Sequence, residues 1–321
     1  MAIDIGRTGW VGLGFETTPG SPVAIVDYAP FTENTLKGMQ ESIKNEAAYG
    51  VREKVFSTVV GKKWAEGDVS INLDGKMSGY FLGAALGTVN SANVAGSVYD
   101  HTITRKANST AKTLTVVNDR VVDRQYVPFV AVSQAELTVS DGLATLKSTL
   151  MGRFPITTTS GSLTTASGGL FTFIDNSFAF SATSPADALN QANLKPHDMK
   201  LTINNNSSVL HRHGNADADT INHGEFEVTG EGTIYFENTT QRDVYYANTK
   251  RSAAMRFLGR GIGGGYQETL TVNLYQVSLD SYELETGLAD FYQEKFNLLA
   301  EYDNANTKSI DMVLRNTKSS Y

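Results

Sequence analysis

The chain has 321 residues, 40% of them hydrophobic and 10% aromatic, which is ample for a core and excludes disorder along its whole length. Its 27 Lys and Arg against 34 Asp and Glu leave a net charge of −7, which argues against a general duplex-DNA binder with a cationic footprint on the phosphates. There is no cysteine, so disulfides, thiolate metal sites and thiol catalysis are excluded.

At roughly 150 residues per domain, the length corresponds to two domains or one large one. No apolar run reaches the roughly 20 residues that span a bilayer, so no membrane association is expected. The opening Met1-Ala-Ile-Asp-Ile-Gly6 carries an acid early and lacks a basic-then-apolar layout, so no signal peptide is expected either. Glycine, threonine, serine and asparagine are abundant and the apolar runs favour Val, Ile, Tyr and Phe, a mix that favours strands joined by short polar turns.

In chain order, residues 1–50 read as an arm and entry strand. The run from Gly9 to Val23 is too rich in glycine for a helix and too broken by proline for a long central strand. It carries Trp10, Val11, Leu13 and Phe15, which need a surface to pack on. A neighbouring subunit is one such surface, and the chain's own domain is the other.

From Gly67 the period is two: Asp68, Ser70, Asn72 and Asp74 alternate with Val69, Ile71 and Leu73. The spacing then predicts a short helix over 78–87, capped by Ser78 and ended by Gly87. Strands are expected near 98–104, 113–118 and 127–139, and Asp141-Gly142 turns the chain into another at 143–151. Residues 156–195 are polar and low in complexity and read as a linker, with a strand possible between 170 and 180.

The second half repeats the order of the first. Over 224–237, Phe226, Val228, Ile234 and Phe236 face one way, and Glu225, Glu227, Glu231 and Glu237 the other. A helix is expected over 241–248, with strands at 252–258, 267–279, 291–302 and 308–315. Gly67–Asp74 aligns without a gap on Gly230–Glu237, and Thr113–Val116 is similar to Thr269–Val272. This order implies a tandem duplication, with a first barrel at 51–155 and a second at 196–321.

Little in the sequence points to catalysis. Gly259–Gly265 holds a nominal Gly-x-Gly-x-x-Gly, but strand rather than long helix follows it, against a dinucleotide site. His211, His213 and His223 with Asp217 and Asp219 have ligand-like spacing within a composition typical of exposed loop. Glu225 and Glu227 form an i, i+2 pair of the kind that usually marks a solvated strand face. No cofactor, metal site or catalytic residue is expected.

The run Gly12-x-Gly-Phe-Glu-Thr-Thr-Pro-Gly-Ser-Pro-Val23 resembles the N-terminal signature of long-tailed bacteriophage tail tube proteins. The succession of Gly50-Val-Arg52, the 67–74 strand, the helix ending Ala85-Leu-Gly87 and the order from Glu227 to Asp303 is similar as well. The resemblance implies a mainly β chain, a tube-type β-barrel or sandwich with short flanking helices. It also implies a structural protein of the virion tail, assembled in the bacterial cytoplasm.

Its partners would be further copies of itself in stacked rings, and tail tip and tail terminator proteins. DNA would pass through the lumen without specific binding. A lumen wall of roughly 24 strands needs three chains if each carries two barrels, and six if each carries one. Trp10, Val11, Leu13 and Phe15 would then dock on a neighbour, and the acids Asp68, Asp74, Glu231 and Glu237 would line the lumen. The alternatives are another virion β-structural protein, such as a capsid decoration or fibre module, or a carbohydrate-active β-sandwich enzyme.

Overall fold

Alternation becomes layering wherever the sequence carries it. Val69 and Ile71 point into the core, as do Leu146, Ser148 and Leu150 on the neighbouring strand, while Asp68, Ser70 and Asn72 point away from it. The computed structural model describes residues 6–321 except 26, 109, 121–122, 159–167, 193 and 288–290. Residues 1–5 of the expected arm and 159–167 of the expected linker therefore lie outside the described residues. The chain is mainly β, as expected.

The first half comprises β1 (Trp10–Phe15), β2 (Asp27–Ala29), β3 (Glu33–Asn34), β4 (Lys37–Asn45), β5 (Ser57–Asn72), α1 (Ser78–Leu86), β6 (Gly87–Ala95) and β7 (Val98–Arg105). It continues with β8 (Leu114–Asp119), β9 (Arg124–Val139), β10 (Thr145–Gly152) and β11 (Ile156–Thr157). The second half comprises β12 (Asn176–Ser181), α2 (Pro185–Ala188), β13 (Asp198–Asn204), β14 (Ser208–Leu210), β15 (Thr220–Asn222) and β16 (Glu227–Tyr235). There follow α3 (Thr240–Tyr246), β17 (Arg251–Gly263), β18 (Tyr266–Glu285), β19 (Gln293–Glu301) and β20 (Ile310–Asn316).

The two halves share a topology. In the first, β4, β5, β10 and β9 lie side by side; in the second, β13, β16, β19 and β18 do. A helix follows β5 and another follows β16. The strands β1–β8–β9 correspond to β12–β17–β18. The registers agree as well: Lys147 lies opposite Ser70 and Glu136, and Lys295 opposite Thr233 and Glu283. Both hairpins carry a bulge at the same place, skipping Ser133 in β9 and Asp280 in β18. The sequence match of 113–116 with 269–272 does not survive, because β8 corresponds to β17 and not to β18.

The N-terminal segment departs from an arm. Strand β1 lies between β2 and β8, and Val11 and Leu13 are fully buried in the chain's own core. Trp10 and Phe15 are half-buried, with the Phe15 ring 5.2 Å from that of Tyr80. Gly12 serves close packing here, since a Cβ would sit 2.7 Å from Ile25 and Tyr28. Beyond β1 the buried Glu16 carboxylate accepts bonds from Gly20 N, Thr113 Oγ1, Thr115 Oγ1 and Phe129 N, at 2.7–3.0 Å. The expected linker also contains structure: β12 pairs with β17 as β1 does with β8.

Glu16 is thus a clasp holding the glycine-rich segment on β8 and β9. Replacing Glu16 with Ala removes the acceptor of four bonds and strands buried donors, a loss of about 3 kcal/mol or more. Urea unfolding of Glu16→Ala against the parent checks it; an unchanged midpoint would return residues 10–20 to a free arm.

Candidate functional site

One sheet carries the candidate site. Strands β4, β5, β10, β9, β13, β16, β19 and β18 form a continuous antiparallel run, with the halves joined where β9 pairs with β13. Inward residues such as Ile71, Leu146, Leu137, Leu201, Val228 and Phe296 are buried. The outward residues are short and polar and form rows across the strands. One row runs Asn72, Thr145, Thr138, Lys200, Glu231, Asn297.

Charges on this face are mixed with an acidic excess: Asp68, Glu136, Asp198, Glu227 and Glu231 stand against Lys147, Lys200 and Lys295. Lys147 pairs with Asp68 at 3.1 Å, Lys200 with Glu136 at 3.0 Å and Lys295 with Glu285 at 2.5 Å. Asp68 also accepts from Thr149 Oγ1 at 2.7 Å, and by bonding Lys147 it raises that ammonium's pKa.

Of the four acids assigned to a lumen, Asp68 and Glu231 lie on this face. Asp74 does not. The strand ends at Asn72, and Asp74 turns inward, where its Oδ1 accepts from Lys76 N and Met77 N at 2.6 and 2.5 Å and so caps the approach to α1. Ser78, expected as that cap, instead accepts from Asp74 N. Glu237 is exposed but lies beyond the end of β16. Missed by sequence reasoning were Lys147, Lys200, Lys295 and Glu136, although the alternation of 145–151 held the signal for the first.

Both ends of the sheet expose apolar side chains. At one, the β4–β5 hairpin presents Ile43, Val51, Phe56, Val59 and Val60, with Tyr49 stacked on Phe56 at 3.8 Å. At the opposite end stand Leu143, Ile174, Tyr235, Phe291 and Tyr292. Such patches mark surfaces that associate.

A family model, phage tail tube protein, matches residues 6–303. The chain belongs to the phage tail tube protein family. It is therefore a phage tail structural protein and a component of the virion tail. No individual curated protein matches the sequence.

In this tail tube protein His211 and His223 hold loops in place. His211 Nε2 lies 3.1 Å from the Lys63 carbonyl, Arg212 pairs with Asp219 at 3.0 Å, and His223 Nδ1 lies 2.7 Å from Ser207 Oγ. Glu225 and Glu227 are both exposed. Gly263, Gly264 and Gly265 take positive φ in the turn between β17 and β18. Among the described residues no helix is long and apolar enough to cross a membrane.

Burial raises the Asp74 pKa from 3.8 to about 6 against the lowering effect of its backbone donors, with nearby Glu268 adding to the rise. The folded state therefore holds this proton more tightly than the unfolded chain. The contribution is fully present below about pH 4 and is lost as pH rises through about 6. Asp74→Asn keeps an Oδ1 acceptor and removes the titration. Denaturant unfolding between pH 4 and 7 should show a flatter pH dependence in Asp74→Asn; identical slopes would contradict the assignment.

Proposed function

We propose that three chains of this tail tube protein close edge to edge into a ring, that the polar sheet face lines its lumen, and that stacked rings form the conduit for DNA ejection into the host. The observation that carries this reading is the single run of eight strands with, among the described residues, an unpaired edge at each end, β4 on one side and the C-terminal part of β18 on the other. Unpaired edges of this length call for partners. Three such runs give a wall of 24 strands, and strands about 4.8 Å apart tilted by about 40° close at a backbone diameter of about 48 Å. Side chains reduce the bore to about 38 Å, wide enough for duplex DNA.

The wall chemistry suits passage rather than retention. A cationic wall would hold phosphates through many counterion-releasing contacts. An acidic face on which Lys147, Lys200 and Lys295 are already paired repels them, over a range that salt limits to about 8–10 Å. The role is structural, without catalysis. The matching topology and registers of the two halves support a tandem duplication, which gives a ring of three chains a pseudo-sixfold appearance.

Stacking follows from the two ends. The β4–β5 hairpin of one ring meets the apolar end of the next, a head-to-tail contact that propagates without closing. This hairpin replaces residues 10–15 as the docking arm. Tail tip and tail terminator proteins would cover the apolar ends left at the first and last rings, and assembly would take place in the host cytoplasm.

Electron microscopy of the purified protein tests the reading: rings or tubes with a bore near 38 Å are expected, and a monomer at all concentrations would refute it. In phage carrying Asp68→Lys and Glu231→Lys, tubes should assemble and ejection should slow, more at low salt than at high. Normal ejection at both would remove the wall charge from the mechanism.

A further inference from the structure

One seam between the halves lies within the eight-strand run. Where the halves join, β13 pairs with β9 in a defined register: Leu201 opposite Leu137, Thr202 opposite Glu136, Asn204 opposite Gln134. The equivalent of β13 in the first half is β3 with the start of β4, and the equivalent of β9 in the second half is β18. Among the described residues no strand covers the outer side of β3 and β4, or the side of β18 beyond Val277 that faces away from β19. These are the two edges that a ring would bring together.

The correspondence can be carried residue by residue. Met199 lies opposite Gly232 and Thr202 opposite Thr229, while Asn34 lies opposite Val69 and Lys37 opposite Glu66. Since β16 aligns on β5 without a gap, Leu201 corresponds to Leu36 and Thr202 to Lys37. On the other strand, Glu136 and Glu283 hold the same place opposite Lys147 and Lys295, so Leu137 corresponds to Leu284.

We propose that β3–β4 of one copy of this chain pairs antiparallel with β18 of the next in the register of the internal seam, placing Lys37 opposite Glu283 and Leu36 opposite Leu284. This rests on the ring reading above and specifies its contact.

Two observations beyond topology fit this register. The internal seam is crossed by an ion pair with lysine on β13 and glutamate on β9, Lys200 to Glu136 at 3.0 Å. The outer seam has the same charges on the same strands, because Lys37 and Glu283 are both exposed on the polar face. Leu284 is 40% exposed, whereas its counterpart Leu137 is 3% exposed beneath β13. A second copy seated in this register covers Leu284 as β13 covers Leu137.

The β3–β4 edge is also shielded in the single chain. The Leu36 carbonyl accepts from Asn118 Nδ2 at 3.1 Å and Arg120 Nη2 at 3.0 Å, and the Leu36 N–H donates to Asn34 Oδ1 at 3.1 Å. Side chains thus occupy the backbone groups that the neighbour's Leu284 would take over, as natural edges are guarded against indiscriminate pairing.

The absence of cysteine makes the test direct. Directly opposite residues in an antiparallel pair have Cα atoms about 4.5–5.5 Å apart, within disulfide range. Tubes of a Lys37→Cys, Glu283→Cys double variant, oxidised and dissolved in detergent, should yield covalent dimers and a terminal trimer that reductant returns to monomer. Yield should exceed that of Lys37→Cys with Leu284→Cys by at least tenfold.

Tubes that form without this cross-link, or that cross-link equally in the shifted pair, would overturn the register and leave the ring intact. Wild-type protein that forms no ring would overturn the reading beneath it. Where the cysteine variant does not assemble, charge exchange decides: Lys37→Glu should reduce assembly and added Glu283→Lys should restore it, and failure to restore contradicts the pairing.

Discussion

Backbone N–H and C=O groups along a strand must find partners, and the halves of this chain meet that demand for each other where β9 pairs with β13, as they do again where β7 pairs with β20. Without the β9–β13 pairing the run of eight would be two runs of four, β4–β5–β10–β9 and β13–β16–β19–β18, with the halves still joined where β7 pairs with β20. With it they become one run of eight strands that, among the described residues, has an open edge at either end. The position of the wall face, the spacing of its charges and the location of the unsatisfied edges all follow from this junction.

The wall divides its residues by face rather than by type. Asp68 and Asp74 are six residues apart in one alternating stretch, yet one is half-exposed and paired with Lys147 while the other is buried under α1. The outward ion pairs are partly exposed, and such pairs contribute about 0–1 kcal/mol. Their placement therefore bears more on the charge of the polar face than on stability. Stability comes from the opposite face, where Ile71, Leu137, Leu201 and Phe296 belong to a core shared by both halves.

Much of this was legible in the sequence because alternation is a direct consequence of strand geometry. The faces of β5 and β16 and the short helix ended by Gly87 follow from it. Gly87 does adopt φ 99, with its N–H bonded to the Gly83 carbonyl. The segment around β1 was not legible, since glycine there reads as looseness. In the structure Gly12 admits Ile25 and Tyr28 at close range, and Glu16 finds three of its four donors about a hundred residues away in sequence. Asp74 was misplaced because alternation does not mark where a strand stops. The lysines of the wall were missed because only strand pairing sets them opposite the acids.

In the proposed ring, one chain supplies two repeats of a closed wall. A ring reconstruction by cryo-electron microscopy with no symmetry imposed, traced through the side chains, tests it most directly. Three chains per ring are expected, each contributing eight adjacent wall strands, with β9–β13 and β4–β18 junctions alternating around the wall. Six equivalent chains, or a wall lined by the apolar face, would contradict it.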